Sequence, residues 1–128
     1  MVASHAGANT SILLKIRKEA IRQGFDPRLA ESIARAESSL NPKAVSYVGA
    51  IGLFQVMPFH ANGGDLREVN YNIKVGIKLL LKYKHQCADM GEAWIICYNQ
   101  GPRRRPKHPL LHPYYKVVQS YYRGSLSS

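Results

Sequence analysis

Glu37-Ser38-Ser39-Leu40-Asn41-Pro42 and, a few residues on, Gly49-Ala50-Ile51-Gly52-Leu53-Phe54-Gln55-Val56-Met57-Pro58 are the parts of the chain around which the rest is arranged. The first run ends a helix. Asp26-Pro27 starts it, an acidic cap followed by proline at the first helical position. From there Leu29, Ile33 and Ala36 fall on one apolar stripe, and Glu37 lies four residues after Ile33 and eight after Leu29. The carboxylate is therefore expected on the apolar side of its own helix, at the C-terminal end. Desolvation disfavours the charged form there, and the negative end of the helix dipole pushes the same way. A carboxylic acid that keeps its proton near neutral pH is what a general acid requires. The same spacing also fits a capping or salt-bridged glutamate, with Arg28, Arg35 or Lys43 as partner, so the position alone does not choose.

Outward from Glu37 the chain reads as helices with one irregular excursion. Residues 1–9 are small and polar and are expected to be flexible. Thr10 or Ser11 can cap a first helix through Gln23, with Ile12, Ile16 and Ala20 at four-residue spacing and Gly24 as terminator. Asn41-Pro42 breaks the Glu37 helix. Residues 43–56 mix apolar side chains with Gly49 and Gly52, and read as an irregular loop or short hairpin folding back over the helix end. Pro58 opens a short turn, and His60 to Asp65 is a loop. Asn70 or Asn72 can cap the next helix, with Ile73, Ile77 and Leu80 inward and Lys74, Lys78 and Lys82 on a solvated face. Gly91 separates it from Glu92 to Tyr98, apolar enough to be a buried helix stopped by Asn99-Gln100-Gly101-Pro102. Residues 102–113 form a basic, proline-rich loop, Pro113 opens a last helix through Tyr122, and 124–128 are expected to fray. The predicted architecture is all-α, one domain over 10–123 with five to six helices.

Composition bounds what such a domain can do. The 128 residues suffice for a real core, and no apolar run approaches the roughly 18 residues of a membrane span. Ile12-Leu13-Leu14 is too short for a secretory signal, so the chain reads as made without cleavable targeting or as a mature fragment. Net charge is +10, with seven basic and four acidic side chains in residues 1–64 and eleven and four in 65–128. That balance favours polyanionic partners. Cys87 and Cys97 have no metal-ligand spacing, and the five histidines are scattered. Two buried thiols are the expectation for the cysteines, with a disulfide as the alternative in an oxidising compartment.

In this order the pieces resemble the soluble lytic transglycosylases, enzymes of goose-type lysozyme fold that cut bacterial peptidoglycan. Glu37-Ser38 with Asn41-Pro42 is similar to that family's catalytic glutamate motif. Ser46 through Pro58 is similar to its Gly-Leu-Met-Gln segment, Asn72-Ile73 with Gly76 to its third block, and Tyr98-Asn99-Gln100-Gly101 to its Tyr-Asn-x-Gly block. Tyr114-Tyr115 with Val118 and Tyr121 matches its closing tyrosine helix. Two positions depart: Phe54 stands where methionine is usual, and Gln100 where a small residue is usual.

The resemblance implies a single-carboxylate mechanism. Glycosidases normally need two carboxylates, whereas here only Glu37 matches a catalytic motif. Glu37 would protonate the leaving oxygen of the MurNAc-GlcNAc bond. The sugar's own acetamido group would meet the developing cation. Glu37, now a base, would take the C6 hydroxyl proton to close a 1,6-anhydro ring, with no metal or cofactor. Ser46 and Tyr98 would orient Glu37 or the acetamido group, Gln55 and Asn99 would hold sugar polar groups, and Met57 would pack on a sugar face. Each also has an ordinary structural use: a turn serine, a packed tyrosine, a helix-end asparagine, a core methionine. A water-using muramidase on the same fold and a non-catalytic wall-binding or virion module are the alternatives. The expected partners are peptidoglycan strands and, through Arg103-Arg104-Arg105-Pro106-Lys107, an anionic wall or membrane surface. A specific nucleic-acid partner is not expected. The chain is expected to be a monomer acting on the wall, in the periplasm or outside the cell, with delivery by a bacteriophage as one route.

Overall fold

The computed structural model describes residues 2–127. Five α-helices carry the fold: α1 (Val2–Gln23), α2 (Pro27–Ser38), α3 (Val69–Gln86), α4 (Ile95–Gln100) and α5 (Pro113–Ser127). α2 packs against α1 on one side and α5 on the other, while α3 packs against α1 and α4. The buried stripes meet where the periodicity put them. Ile16 and Ala20 of α1, Ala30, Ile33 and Ala34 of α2, and Ile73, Ile77 and Leu80 of α3 form the core with Ile95 and Ile96 of α4. Burying such a side chain stabilises by about 2 kcal/mol. Phe25, in the short link between α1 and α2, sets its ring edge-on to Trp94 at 6.1 Å.

Local chemistry explains most of the boundaries. Gly24 takes a φ of 77° and stops α1, and Asp26 Oδ1 accepts from the Arg28 and Leu29 amides to start α2. Other boundaries differ from expectation. α1 begins at Val2 rather than near Thr10, so the backbone of 2–9 is helical; Ala3, Ala6 and Ala8 are strong helix formers, no proline interrupts them, and the helix runs through Gly7. α5 likewise continues past Tyr122 to Ser127, across most of the segment expected to fray. Met1 and Ser128 lie outside the described residues. α3 is capped by Glu68, which accepts from the Tyr71 amide at 2.6 Å, and not by Asn70 or Asn72. The apolar run near residue 95 is split, with a 3-10 stretch from Ala88 to Trp94, bent at Gly91, preceding α4.

The cysteines are a correction. Cys87 and Cys97 are joined in a disulfide and are not free thiols. The expectation had set both inside helices. In fact Cys87 lies just past the end of α3, and the bent 88–94 segment returns Cys97 until the two Cα atoms are 6.8 Å apart.

The loop after α2 is a long non-helical excursion. Among the described residues its only β pairing is two isolated antiparallel bridges, Val45 with Ile51 and Ile51 with Val56. It is held from outside. Asn72 is 1% exposed; its Nδ2 donates to Ile51 O and Leu66 O, and its Oδ1 accepts from the Phe54 amide at 3.0 Å. A β-carbon on Gly52 would lie 2.4 Å from the Asn72 amide, and one on Gly76 would lie 2.5 Å from Phe54. Both glycines are therefore required for the loop to lie flat on α3.

Candidate active site

α2 delivers Glu37 to the place where this loop returns. Ser39 and Leu40 both adopt left-handed φ, 54° and 61°, and turn the chain sharply off the helix end. Such a conformation costs about 1 kcal/mol per residue, and it is offset here by the burial of Leu40 at 4% exposure. Ser38 Oγ lies 3.1 Å from Ala34 O and 2.9 Å from Leu53 O, so its single proton ties helix end to loop. Ser38 thus serves the backbone at the helix end.

Glu37 is half-buried, and its Oε2 accepts from the Tyr114 hydroxyl at 2.7 Å. Among the described residues it has no ion pair, so Arg28, Arg35 and Lys43 are not its partners. Burial pushes its pKa up to about 7, against the smaller downward pull of the Tyr114 hydrogen bond. Tyr98 and Tyr114 are both raised well above the ordinary tyrosine value, by burial first and by the negative charge of Glu37 second. The three groups therefore share one environment.

The other sequence-selected residues differ in how far their polar groups are already engaged. Tyr98 donates to Phe54 O at 2.6 Å and sets its ring edge-on to Tyr83 at 6.1 Å. Ser46 Oγ accepts from the Ala50 amide at 3.0 Å inside the loop turn. Neither hydroxyl reaches Glu37; the tyrosine that does is Tyr114, from the far end of the chain. Gln55, at a φ of 49°, donates from Nε2 to Ala44 O and Gly52 O, so its amide protons are spent on the loop itself. Met57 is half-buried at the start of the turn Pro58–His60, and Asn99 is exposed on α4 with no side-chain hydrogen bond among the described residues.

No second carboxylate joins Glu37. Of the eight acidic residues, seven are engaged elsewhere. Glu19 pairs with Arg22, Glu31 with Arg17, Asp65 with Arg67 and Asp89 with Arg105. Asp26 and Glu68 cap helices, and Glu92 accepts from Tyr115. Among the described residues no three His, Cys, Asp or Glu side chains group as a metal site would require.

A helical domain with one half-buried, unpaired glutamate at the junction of a helix end and a pinned loop defines a recognisable class. The family model described as "Transglycosylase SLT domain" matches residues 15–109, and the chain belongs to that family. Membrane-bound lytic murein transglycosylase C of Histophilus somni (strain 2336) is 48% identical over 67 residues, covering 52% of this chain and 18% of that protein. The protein of the same name from Mannheimia succiniciproducens is 40% identical over 124 residues, covering 79% of this chain and 34% of that one. The chain thus spans about a fifth to a third of these relatives. A solved structure of an inactive glutamate-to-glutamine mutant of lytic transglycosylase Slt from Pseudomonas aeruginosa superposes with a TM-score of 0.71. It is 23% identical, and the match covers 89% of this chain and 24% of that one. At that identity the likeness establishes the fold.

Proposed function

We propose that this chain is a peptidoglycan lytic transglycosylase in which Glu37 acts first as acid and then as base. The observation that carries the reading is a lone carboxyl with a pKa of about 7, held by a tyrosine and paired with no cation. Such a group is protonated often enough near neutrality to protonate a leaving oxygen, and basic enough afterwards to take a proton back. With the other seven carboxylates committed elsewhere, the second function that glycosidases draw from a carboxylate falls to the substrate. The acetamido group of MurNAc meets the cation, and its C6 hydroxyl then closes the anhydro ring.

Tyr114 orients the Glu37 carboxyl. Tyr98 acts mainly through Phe54 O, fixing the loop against α4. Ser46 and Gln55 shape the loop wall, Met57 offers a sugar-facing surface, and Asn99 keeps its amide free for substrate. The reaction belongs at the cell wall, in the periplasm or outside the cell, and the basic run 103–107 suits an anionic surface there. The test is digestion of purified peptidoglycan by the chain and by Glu37→Gln, with mass spectrometry after borohydride reduction. Borohydride-resistant fragments from the first and none from the second are expected. Reducible ends would make this a muramidase; no release by folded protein would leave a binding module.

A further inference from the structure

Tyr114 is the hydrogen-bond partner of the Glu37 carboxyl, so whatever fixes Tyr114 also acts on that carboxyl. It stands at the second position of α5, behind Pro113. Proline has no N–H, so the Tyr114 amide is the first of the helix that needs an acceptor. His112 Nδ1 supplies one at 3.2 Å. The backbone of His112 is extended, as in other helix caps, and is held on both sides. Its amide donates to Pro109 O at 3.1 Å, and its carbonyl accepts from the Lys116 amide at 3.0 Å.

The ring's other nitrogen, Nε2, lies 3.1 Å from Oε1 of Gln100, the last residue of α4. Gln100 Nε2 in turn donates to Arg104 O at 3.2 Å. The two ends of this run admit one role each: the Arg104 carbonyl only accepts, and the Tyr114 amide only donates. The direction of every bond between them follows. Gln100 presents its amide protons to Arg104, which leaves Oε1 to accept. His112 Nδ1 is bare to accept from Tyr114, so the neutral ring carries its one proton on Nε2 and donates it to Gln100. Arg105 steadies the far end, with Nε donating to Pro102 O at 2.8 Å and Nη1 pairing with Asp89 at 2.6 Å.

Gln100 is one of the two positions where the chain departs from the motifs it resembles, and a small side chain there would have no amide to offer either neighbour. We propose that Gln100 and His112 are positioning residues for the reaction at Glu37: together they fix the first turn of α5 and so hold the Tyr114 hydroxyl on the Glu37 carboxyl. The proposal rests on the reading of Glu37 as the acid. Neither residue is hydrogen-bonded to Glu37, and both act through Tyr114. α4 then serves the site twice, since its Tyr98 holds Phe54 O and the loop while its Gln100 holds the α5 side.

The test pairs a titration with kinetics. The titratable groups that share the environment of Glu37 are Tyr98 from α4 and Tyr114 from α5, both raised well above the ordinary tyrosine value, so neither changes charge where Glu37 titrates. The Glu37 carboxyl signal is followed by ¹³C NMR across pH in the parent, His112→Ala, His112→Asn, Gln100→Ala and Tyr114→Phe. The Tyr114 hydroxyl favours the anion, so His112→Ala should titrate at higher pH than the parent, and Gln100→Ala should move the same way by less. Asparagine can accept the Tyr114 amide from the cap position, so His112→Asn should return the titration to the parental one. Added to Tyr114→Phe, His112→Ala should change nothing further. On peptidoglycan, kcat of His112→Ala should fall about ten-fold at unchanged KM. An unmoved titration or a parental kcat in His112→Ala overturns the proposal and leaves His112 a helix cap alone. So does a shift that asparagine fails to restore, or one that persists in full on Tyr114→Phe. Should His112→Ala not fold, Gln100→Ala decides, and a parental titration there overturns the proposal. Shifted titrations in a chain that cleaves nothing support the positioning and place the failure with the catalytic reading.

Discussion

At Glu37 two effects oppose each other on one carboxyl: burial raises its pKa, and the Tyr114 hydroxyl, which bonds best to the anion, lowers it. Burial wins. The folded pKa of about 7 lies above the ordinary 4.5, so the folded state holds this proton more tightly than the unfolded chain does. The stability linked to it is complete below about pH 4.5 and is lost as pH rises through about 7, a difference of about 3 kcal/mol. Glu37→Gln does not titrate. It should therefore match the parent in urea melts at pH 4 and exceed it at pH 8, by up to about 3 kcal/mol; equal stability at pH 8 would mean the carboxylate is not desolvated. Activity should fall on the alkaline side as Glu37 loses the proton it must donate. Tyr114→Phe removes the bond that favours the anion. Its alkaline limb should move to higher pH while kcat drops, and an unmoved limb would show that Tyr114 does not act on Glu37.

The element that makes the site is the loop over residues 44–56, and what holds it is Asn72. Asn72→Ala leaves the Phe54 amide and the Ile51 and Leu66 carbonyls without their buried partner, which should cost about 3 kcal/mol in urea unfolding. Chemical-shift changes should concentrate in residues 51–54. The α2 helix and the placement of Glu37 on its apolar side were legible in the sequence because caps and 3.6-residue periodicity are local signals. The loop's shape was not. Asn72 carries an asparagine's usual helix-cap signal, yet it serves an element 18 residues earlier in the chain. Tyr114 was hidden for the same reason: its partner lies 77 residues away, and a tyrosine-rich run in α5 signals only a helix. Gln55 shows the converse, a motif residue whose amide protons are taken by its own loop.

On the scale of the whole molecule the disulfide and the charge matter most. Cys87–Cys97 ties the end of α3 to α4, which carries Tyr98 and Asn99. Closing a ten-residue separation should contribute about 3 kcal/mol through the unfolded chain, so Cys87→Ser/Cys97→Ser should unfold at correspondingly lower urea. The cysteines misled because each looked helical, and only the bend at Gly91 brings them together. The fold class was recoverable from ordered motifs spread along the chain, while the tertiary contacts that tune Glu37 were not. The central claim, that one carboxyl serves as both acid and base and that no water enters the product, is tested most directly by digesting peptidoglycan in ¹⁸O-labelled water and weighing the fragments. The account predicts glycan ends without label, each lighter by one water than a hydrolysed end. Label at the newly formed reducing ends would contradict it.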